Sequence, residues 1–422
     1  MEISNSNLHF SKDASSIEAP HDATKADSTY RGAVCLHPKL NHGKTAPKKE
    51  HEEELERFLA YFSSIRFDKK AVLKLCSEPL HEASLERRLI GSGACEINPD
   101  TRKRYVEWLF SSREDCTKWL AKIPEHLTFK TKVFSLTYEE GAAIVEAYRM
   151  KALGGKKIST TSTQILRKLA QKIDHIKQTE FKKDQKIFVR LDPRSPKDGV
   201  MYPGCSRYDW LLKEVTEQAK VISKQMCPEN EKKHRQQVML ASLAIEALAL
   251  DTGDDAVEVL TNSERTLRDI QQAAEFPKLW DMKGVIRAFE KIPYHNEFRV
   301  FIYQGTLTAI SQYDHRLYFP ELSTPSTLDR IRSQITSFFN LEIKDLMGNK
   351  SYILDLGILD KNTIKVIELN PFEPTTGPGL FSWEKELNVL TDRSSPVPFR
   401  VVESAHSPPE RTFPEWEEVL SV

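Results

Sequence analysis

The sequence predicts an α+β fold with antiparallel sheets. Strand and helix patterns mix along the chain without the regular β-α-β alternation of a parallel sheet. Several neighbouring strand patterns are joined by short polar turns, as in hairpins. The 422 residues suffice for one large or two medium domains, and 39% hydrophobic residues can supply a core.

Charge, cysteine content and hydropathy exclude several classes of protein. Lys+Arg and Asp+Glu both total 61, so the net charge of zero gives no overall attraction to nucleic acid or to an anionic membrane. The six cysteines occur singly, which is typical of reduced thiols and argues against a disulfide framework or a zinc site. No signal peptide and no apolar run of about 18 residues is present. We therefore expect a soluble, cytoplasmic protein that contacts neither membrane nor nucleic acid directly.

Four segments are predicted along the chain. Residues 1–50 are polar with little apolar periodicity, which predicts a disordered tail. Residues 51–125 contain helical patterns and are predicted to form a helical N-terminal extension, whose role the sequence leaves open. Residues 126–403 carry the mixed strand and helix patterns of the main domain, and 404–422 form a C-terminal tail.

Within the main domain, strands and helices are predicted from period-two and helical spacing of apolar residues. The predicted strands cover 127–136, 187–192, 283–289, 296–304, 306–313 and 397–402, with a further hairpin over 351–372. The predicted helices cover 142–150, a segment with Ile165, Leu166, Leu169, Ile173 and Ile176 on one face, 210–250 with an interruption near Cys227-Pro228, 262–274 and 330–343.

The hairpin over 351–372 carries two carboxylates and an amide in apolar strands, namely Asp355, Glu368 and Asn370. A two- or four-residue loop would place Asp355 directly opposite Glu368, where like charges repel unless a divalent cation lies between them. Oxygen ligands of this kind suit Mg²⁺. A three-residue loop would shift the register by one residue and send the two acids to opposite faces.

Cationic residues occur on two other strands. Arg190 lies inside an apolar strand, where it either points to solvent at a sheet edge or is aimed at a phosphate. The loop after that strand presents Ser195 and Lys197 between prolines, either as a polar turn or as a rigid phosphate-binding loop. Glu297 and Arg299 share one strand face, either as a surface pair or as one wall of a cavity.

We expected the strand facing Arg299 to add Gln312 and Asp314 to the same polar face. Together these residues fit a nucleoside triphosphate held between two sheets, with cations on the phosphates and Mg²⁺ bridging them to Asp355, Glu368 and Asn370. The strand Gly284–Arg287 is the candidate wall of the adenine slot.

At this point the motifs resemble those of the cell division cycle protein 123 family, over roughly residues 126–403. The similar elements, in chain order, are Leu136 after a Lys-containing strand, Phe188-Val-Arg-Leu191 with Ser195-Pro-Lys-Asp198, Val285-Ile-Arg287, Glu297-Phe-Arg299, Ile310-Ser-Gln312 with Asp314, Asp355, Ile367-Glu-Leu-Asn-Pro-Phe372 and Leu380-Phe-Ser-Trp-Glu384. Three positions depart from the family: Arg190 stands for a usual Lys, Tyr313 for a usual Arg, and Glu368 for a usual Asp.

The resemblance implies an ATP-grasp-like fold whose two α+β lobes close on ATP and Mg²⁺. It further implies assembly of eukaryotic translation initiation factor 2, through binding of the gamma subunit. By the same resemblance, ATP contacts are expected from Arg190, Asp192, Ser195, Lys197, Asp198, Val285, Arg287 and Arg299, and Mg²⁺ ligands from Asp355, Glu368 and Asn370.

Two alternatives to an assembly factor stay open from the sequence. An ATP-grasp ligase or kinase would activate a carboxylate, and it needs an acceptor site that the sequence does not reveal. A scaffold without nucleotide is disfavoured, because unpaired acids in an apolar hairpin lower stability. Whether ATP is hydrolysed, and whether the chain oligomerises, cannot be read from the sequence.

Overall fold

The computed structural model describes residues 115–421, except 153–156, 275–279, 362, 374–375, 395 and 406–415. The predicted disordered tail and nearly all of the predicted helical extension lie outside the described residues. Within the described part the chain combines helices with mainly antiparallel sheets, so the predicted α+β class is confirmed. None of the described helices has both the length and the apolar character needed to cross a membrane.

The first sheet, within the described residues, has three antiparallel strands in the order β1-β3-β2. These strands are β1 (Thr131–Ser135), β2 (Ile187–Leu191) and β3 (Lys283–Ala288). Arg190 is paired with Val285, and Phe188 is paired with Arg287. Because paired residues, and residues two apart on a strand, share a face, the two arginines lie on neighbouring strands on the same face of this sheet.

The second sheet has five strands among the described residues, in the order β7-β6-β4-β5-β8. They are β4 (Glu297–Tyr303), β5 (Thr306–Gln312), β6 (Tyr352–Ile358), β7 (Ile364–Pro371) and the short β8 (Phe399–Arg400), which alone among these runs parallel to its neighbour. Gln304 and Gly305 both have positive φ, 46° and 70°, at the tight turn that joins β4 to β5. This confirms the turn predicted at Gly305.

The helices surround the first sheet and cover one side of the second. They are α1 (Cys116–Leu120), α2 (Tyr138–Ala152), α3 (Thr160–Glu180), α4 (Ser206–Ser223), α5 (Glu229–Glu246), α6 (Gly253–Leu260), α7 (Glu264–Ala274), α8 (Pro325–Phe338), α9 (Lys344–Met347), α10 (Leu387–Leu390) and α11 (Glu417–Leu420), with a π-helical turn at Phe339–Ile343 after α8. The amide of Thr137 donates to Glu140, and Thr137 Oγ1 accepts from the amide of Glu140, which begins α2 with a capping box.

A β-bulge sets the register of the β6-β7 hairpin. The amide of Leu359 donates to the carbonyl of Thr363, so three residues lie between them. A regular hairpin with a loop of this length would have put the two acids on opposite faces. Near the turn, Leu356 is paired with Val366, but Asp355 is paired with Glu368, so Ile367 is one extra residue. The bulge thus restores the pairing of Asp355 with Glu368.

Each sheet has a hydrophobic core of its own, except that Val285 of the first sheet belongs to the core of the second. One core joins the first sheet to the helices around it, with Val189, Ile286, Leu169 and Leu211 almost fully buried. The other joins the second sheet to α8 and the following π-helical turn. The two sheets are connected through residues 289–296, which end in a 3-10 turn at Tyr294–Asn296. The described chain therefore has two lobes that meet at a cleft.

Candidate functional site

The cleft between the two sheets is lined by seven polar side chains of the described residues and by an apolar half. The polar side chains are Arg190, Ser195, Lys197, Arg287, Glu290, Glu297 and Glu368, and the apolar half includes Phe129, Phe188, Ile245, Leu248, Ile292 and Ile367. The sequence predicted five of these seven polar residues as site residues, all except Glu290 and Glu297. The free volume of the cleft is about 100 Å³, so the lobes are closed upon each other.

Arg190 crosses from the first sheet to the second. Its side chain is 3% exposed, and Nη1 donates to Oε1 of Glu368 at 2.6 Å. Nε and Nη2 also donate to the carbonyls of Leu191 and Pro193. Burial opposes the charge of Arg190, but Glu368 outweighs burial and raises the pKa of the guanidinium. The solvent-exposed alternative for Arg190 is therefore excluded.

Glu368 carries a negative charge within this cleft. Burial opposes ionisation of Glu368, but Arg190 and Lys197 outweigh it and hold the pKa of this carboxyl below its usual value. A carboxylate that stays ionised next to two cations is a suitable acceptor for a metal or for a protonated ligand group.

Arg287 also bridges the sheets, but without an acid. Nη1 donates to the carbonyl of Ile367 at 2.7 Å, and Nη2 donates to Thr128 Oγ1 at 2.7 Å. The guanidinium lies over the rings of Phe129 and Trp119 at 4.8 and 5.5 Å. Burial lowers the pKa of Arg287 to about 10. The bulged Ile367 thus supplies a carbonyl that holds this arginine in the cleft.

Lys197 reaches the second lobe from the loop after β2. Its Nζ lies 3.2 Å from Tyr313 Oη and 5.0 Å from the centre of the Tyr313 ring. Burial opposes the charge of Lys197, but Tyr313, Glu297 and Glu368 outweigh it and raise its pKa. Ser195, on the same loop, is 4% exposed and lines the cleft. The loop therefore faces the cleft, as expected for a phosphate-binding loop and not for a solvent-exposed polar turn.

Asp355 lies at the centre of the second sheet and is 1% exposed. Arg299 donates to both of its oxygens, from Nε at 2.9 Å and from Nη2 at 2.8 Å. Asn370 donates from Nδ2 to Oδ2 of Asp355 at 3.0 Å. Arg299 also lies 5.3 Å from the centre of the Tyr313 ring, so it faces the cleft wall and is not a surface residue. The predicted metal ligands and Arg299 thus form one contiguous polar patch.

Four of the eight residues expected to contact ATP lie outside the cleft lining: Arg299, which is paired with Asp355, and three others. Asp192 accepts from the amide and hydroxyl of Thr117, both at 2.7 Å, and so caps α1. Asp198 accepts from Ser263 Oγ at 2.6 Å and from the amide of Arg265, at the beginning of α7. Val285 is fully buried in the core of the second lobe. The structure gives these three residues supporting positions.

One of the two polar residues expected on the same face as Arg299, Gln312, is on the opposite face, and this prediction is corrected. The register pairs Arg299 with Ser311 and Phe298 with Gln312. Since side chains alternate along a strand, Gln312 points away from Arg299. Its side-chain amide donates from Nε2 to the carbonyls of Asp314 and Leu317 on that other side. The prediction failed because it counted polar residues without fixing the pairing across the hairpin.

Glu297 is one of the two cleft residues that were not assigned to the site. It is 8% exposed and lines the cleft, and its carboxylate has no hydrogen-bond or ion-pair partner among the described residues. Burial raises its pKa to about 7, with Lys197 opposing this and Asp355 reinforcing it. Its shared strand face with Arg299 was the signal in the sequence that could have identified it.

Comparison with known proteins finds a similarity to one family over part of the chain. Residues 246–418 match the D123 family. This segment is the D123 region of the chain. The D123 region contains Arg287, Glu297, Arg299 and the three predicted metal ligands, whereas Arg190, Ser195 and Lys197 precede it.

Parts of the chain are also similar to curated proteins. A "Translation initiation factor eIF2 assembly protein" of Sclerotinia sclerotiorum is 27% identical over 180 residues, which cover 40% of this chain and 42% of the relative. A protein of the same name from Vanderwaltozyma polyspora is 35% identical over 118 residues, 28% of this chain and 30% of the relative. "Cell division cycle protein 123" of Candida glabrata is 33% identical over 106 residues, 25% of this chain and 29% of the relative. The chain therefore matches less than half the length of each of these relatives.

A solved structure of Cdc123 from Schizosaccharomyces pombe is also similar to this chain. The similarity covers 68% of this chain and 95% of that one, with 19% sequence identity and a TM-score of 0.46.

The donor set of the D123 region suits Mg²⁺ in kind. Mg²⁺ is commonly held by one or two carboxylates together with substrate phosphates, and Asp355, Glu368 and Asn370 offer two carboxylates and an amide oxygen. In the part of the chain that the structure describes, no group of three or more His, Cys, Asp or Glu residues could hold a metal by itself. Both carboxylates are instead paired with arginines.

Proposed function

We propose that this protein is an ATP- and Mg²⁺-binding assembly factor that promotes assembly of eukaryotic translation initiation factor 2 by binding its gamma subunit. The names of its relatives support the assembly role. One observation supports the nucleotide: the cations Arg190, Lys197 and Arg287 face Glu368 and the adjoining Asp355 across a closed cleft. The ATP-grasp-like character of the two lobes is part of the same proposal.

The two halves of the cleft suit the two halves of a nucleotide. Phe188, Ile245 and Ile367 supply apolar surface for a base, next to the backbone of the segment that connects the lobes. Arg190, Lys197 and Arg287 supply positive charge for phosphates. Ligand pockets usually hold about 300–1,000 Å³. Since the free volume here is about 100 Å³, nucleotide binding requires the lobes to separate.

Asp355, Glu368 and Asn370 would hold the magnesium. When bound, Mg²⁺ neutralises the carboxylates and the phosphates between which it lies. In the structure the carboxylates are already neutralised by Arg299 and Arg190. We infer that phosphates draw these arginines away from the acids, so that the acids become available to the metal only together with the nucleotide.

This exchange of ion-pair partners is tested by thermal unfolding under four conditions: no ligand, Mg²⁺ alone, ATP alone, and both. A ligand that binds only the folded state stabilises it by about 2.7 kcal/mol at 100 times its Kd. We expect Mg²⁺ alone to leave Tm unchanged and ATP with Mg²⁺ to raise it by several degrees. Asp355→Asn should remove most of the contribution of magnesium. Equal Tm under all four conditions would contradict the proposal that the protein binds nucleotide.

The assembly role is tested with purified gamma subunit. The wild-type protein should capture it, and Asp355→Asn should reduce the assembly that depends on ATP. The same incubations should be analysed for ADP and AMP with candidate acceptors present. Steady ATP turnover coupled to an acceptor would favour the ligase or kinase alternative over the assembly factor.

A further inference from the structure

A second and larger concavity lies on the other side of the segment that connects the lobes. This groove runs between α4 and α5 on one side and residues 291–295 and 318–321 on the other, and its end is closed by residues 403–405. Its free volume is about 1,090 Å³, ten times that of the cleft. It is above the usual size of a small-ligand pocket, and it is an open trough of a size that suits a polypeptide segment.

The groove has an excess of acids that no cation neutralises. Glu214, Glu231, Glu246, Glu321 and Glu403 line it among the described residues, together with the cations Arg235 and Lys291. Both cations are already occupied, since Arg235 is paired with Glu231 and Lys291 lies 2.6 Å from Glu246. Glu321 has only His295, at 4.0 Å. Glu214 and Glu403 have no ion-pair partner among the described residues.

The floor of the groove is apolar and aromatic. Val238, Met239 and Tyr318 are half-buried there, beside Trp210. Aromatic residues and methionine are enriched in the centres of protein interfaces, with charged residues at the rim. The carboxylates of Glu214, Glu321 and Glu403 are complementary to a basic segment.

The groove and the cleft share two walls. Ile245 of α5 lines the cleft, whereas the next residue, Glu246, lines the groove. Likewise Glu290 and Ile292 line the cleft, whereas Lys291 lines the groove. The ion pair of Lys291 with Glu246 joins these walls on the groove side. A movement of either wall that admits a nucleotide must therefore change the width of the groove.

We propose that this groove is the docking surface for a polypeptide segment that carries Lys or Arg residues around an apolar side chain, and that its occupancy is coupled to that of the cleft. The inference rests on the proposed function, because the segment is taken to belong to the gamma subunit. Coupling of this kind is reciprocal, so nucleotide should change the affinity for the partner, and the partner should change the affinity for nucleotide by the same factor.

The test compares two triple variants in binding to immobilised gamma subunit. Glu214→Gln/Glu321→Gln/Glu403→Gln removes the free charges of the groove. Glu217→Gln/Glu342→Gln/Asp345→Asn removes three exposed charges elsewhere and is the matched control. We expect the groove variant to bind at least tenfold more weakly in dilute salt, with a smaller dependence on salt, and the control to stay within twofold of wild type. Both should keep the Tm increase with ATP and Mg²⁺.

Equal binding of gamma subunit by the two variants would overturn the proposal that the groove is a docking surface. Capture of gamma subunit by the wild type would still leave the proposed function intact. If the wild type captures no gamma subunit, that partner is wrong. The docking role of the groove is then tested by measuring the binding of a twelve-residue peptide that contains lysine and leucine. Loss of peptide binding in the groove variant alone supports the groove. Absent binding, or binding insensitive to the variant, overturns it.

Discussion

Arg190 and Glu368 form an ion pair that joins the two lobes, with Nη1 of Arg190 2.6 Å from Oε1 of Glu368. The arginine side chain is 3% exposed and the glutamate 22% exposed. The pair exists because the bulge at Ile367 brings Glu368 to the face of Asp355. Closure of the cleft and placement of the acids thus depend on one local irregularity of β7.

Glu368→Gln should destabilise the protein. Removing one partner of a buried ion pair typically costs about 3–5 kcal/mol, because the remaining charge is left uncompensated. In the variant, Arg190 keeps its hydrogen bonds to the carbonyls of Leu191 and Pro193, and residue 368 has some contact with solvent. We therefore expect the free energy of unfolding to fall by about 2–3 kcal/mol. The free energy of unfolding in urea measures this loss.

The control for this variant is Asp251→Asn, which breaks the exposed pair of Lys186 with Asp251 at 3.1 Å. Exposed pairs contribute about 0–1 kcal/mol, so this variant should unfold almost like wild type. Equal losses in the two variants would mean that the pair between the lobes has no special role in stability.

Asp198→Ala should lower stability without weakening nucleotide binding. Its carboxylate supports the first turn of α7 through Ser263 and Arg265, and loss of a helix cap costs about 1 kcal/mol. Lys197→Ala is the comparison. Because the Lys197 side chain faces the cleft, its loss should weaken ATP binding. Isothermal titration and urea unfolding separate the two effects. Weaker ATP binding by Asp198→Ala at unchanged stability would assign the carboxylate to the nucleotide site.

Most strands of the second lobe could be predicted from the sequence. The hairpins β4-β5 and β6-β7 have strong period-two patterns with polar turns, so their strands were found within one or two residues of their observed ends. Helix α7 was found within two residues of its observed beginning, where Ser263 Oγ accepts from the amide of Thr266. These features depend on residues close together in the chain.

The predictions that failed and the features that were not predicted depend on contacts between residues far apart in the sequence. The caps formed by Asp192 and Asp198 join residues 75 and 65 positions apart, which no local spacing encodes. The bulge at Ile367 could not be read from the loop length, which by itself indicated the opposite register. The face of Gln312 was misassigned because pairing across β4 and β5 fixes it, and polarity does not.

Tyr313→Phe should slightly destabilise the free protein and tighten ATP binding. The hydroxyl accepts a hydrogen bond from Lys197 Nζ at 3.2 Å, and such a bond contributes about 1 kcal/mol. Phe keeps the ring beside Lys197 and Arg299, so only the hydroxyl is lost. Because Lys197 is then no longer held by Oη, it is free for a phosphate, and ATP should bind several-fold more tightly by titration calorimetry. Weaker binding would instead make the hydroxyl a nucleotide contact.

Glu297→Gln should change how stability depends on pH. Burial raises the folded-state pKa of Glu297 to about 7, above its ordinary value of 4.5. Between these values the unfolded chain releases a proton that the folded chain retains, so this carboxyl lowers the free energy of unfolding as pH rises from about 4.5 to 7. The effect is complete above pH 7 and absent below pH 4.5.

Gln has no such proton, so the free energy of unfolding of the variant, relative to wild type, should increase by about 2–3 kcal/mol between pH 4.5 and pH 7.5. Urea unfolding of both proteins at a series of pH values measures this difference. A relative stability that is constant with pH would show that Glu297 is ionised throughout, held by Lys197. In that case the cleft would carry one more fixed negative charge, and ATP would bind more tightly to Glu297→Gln than to wild type at neutral pH.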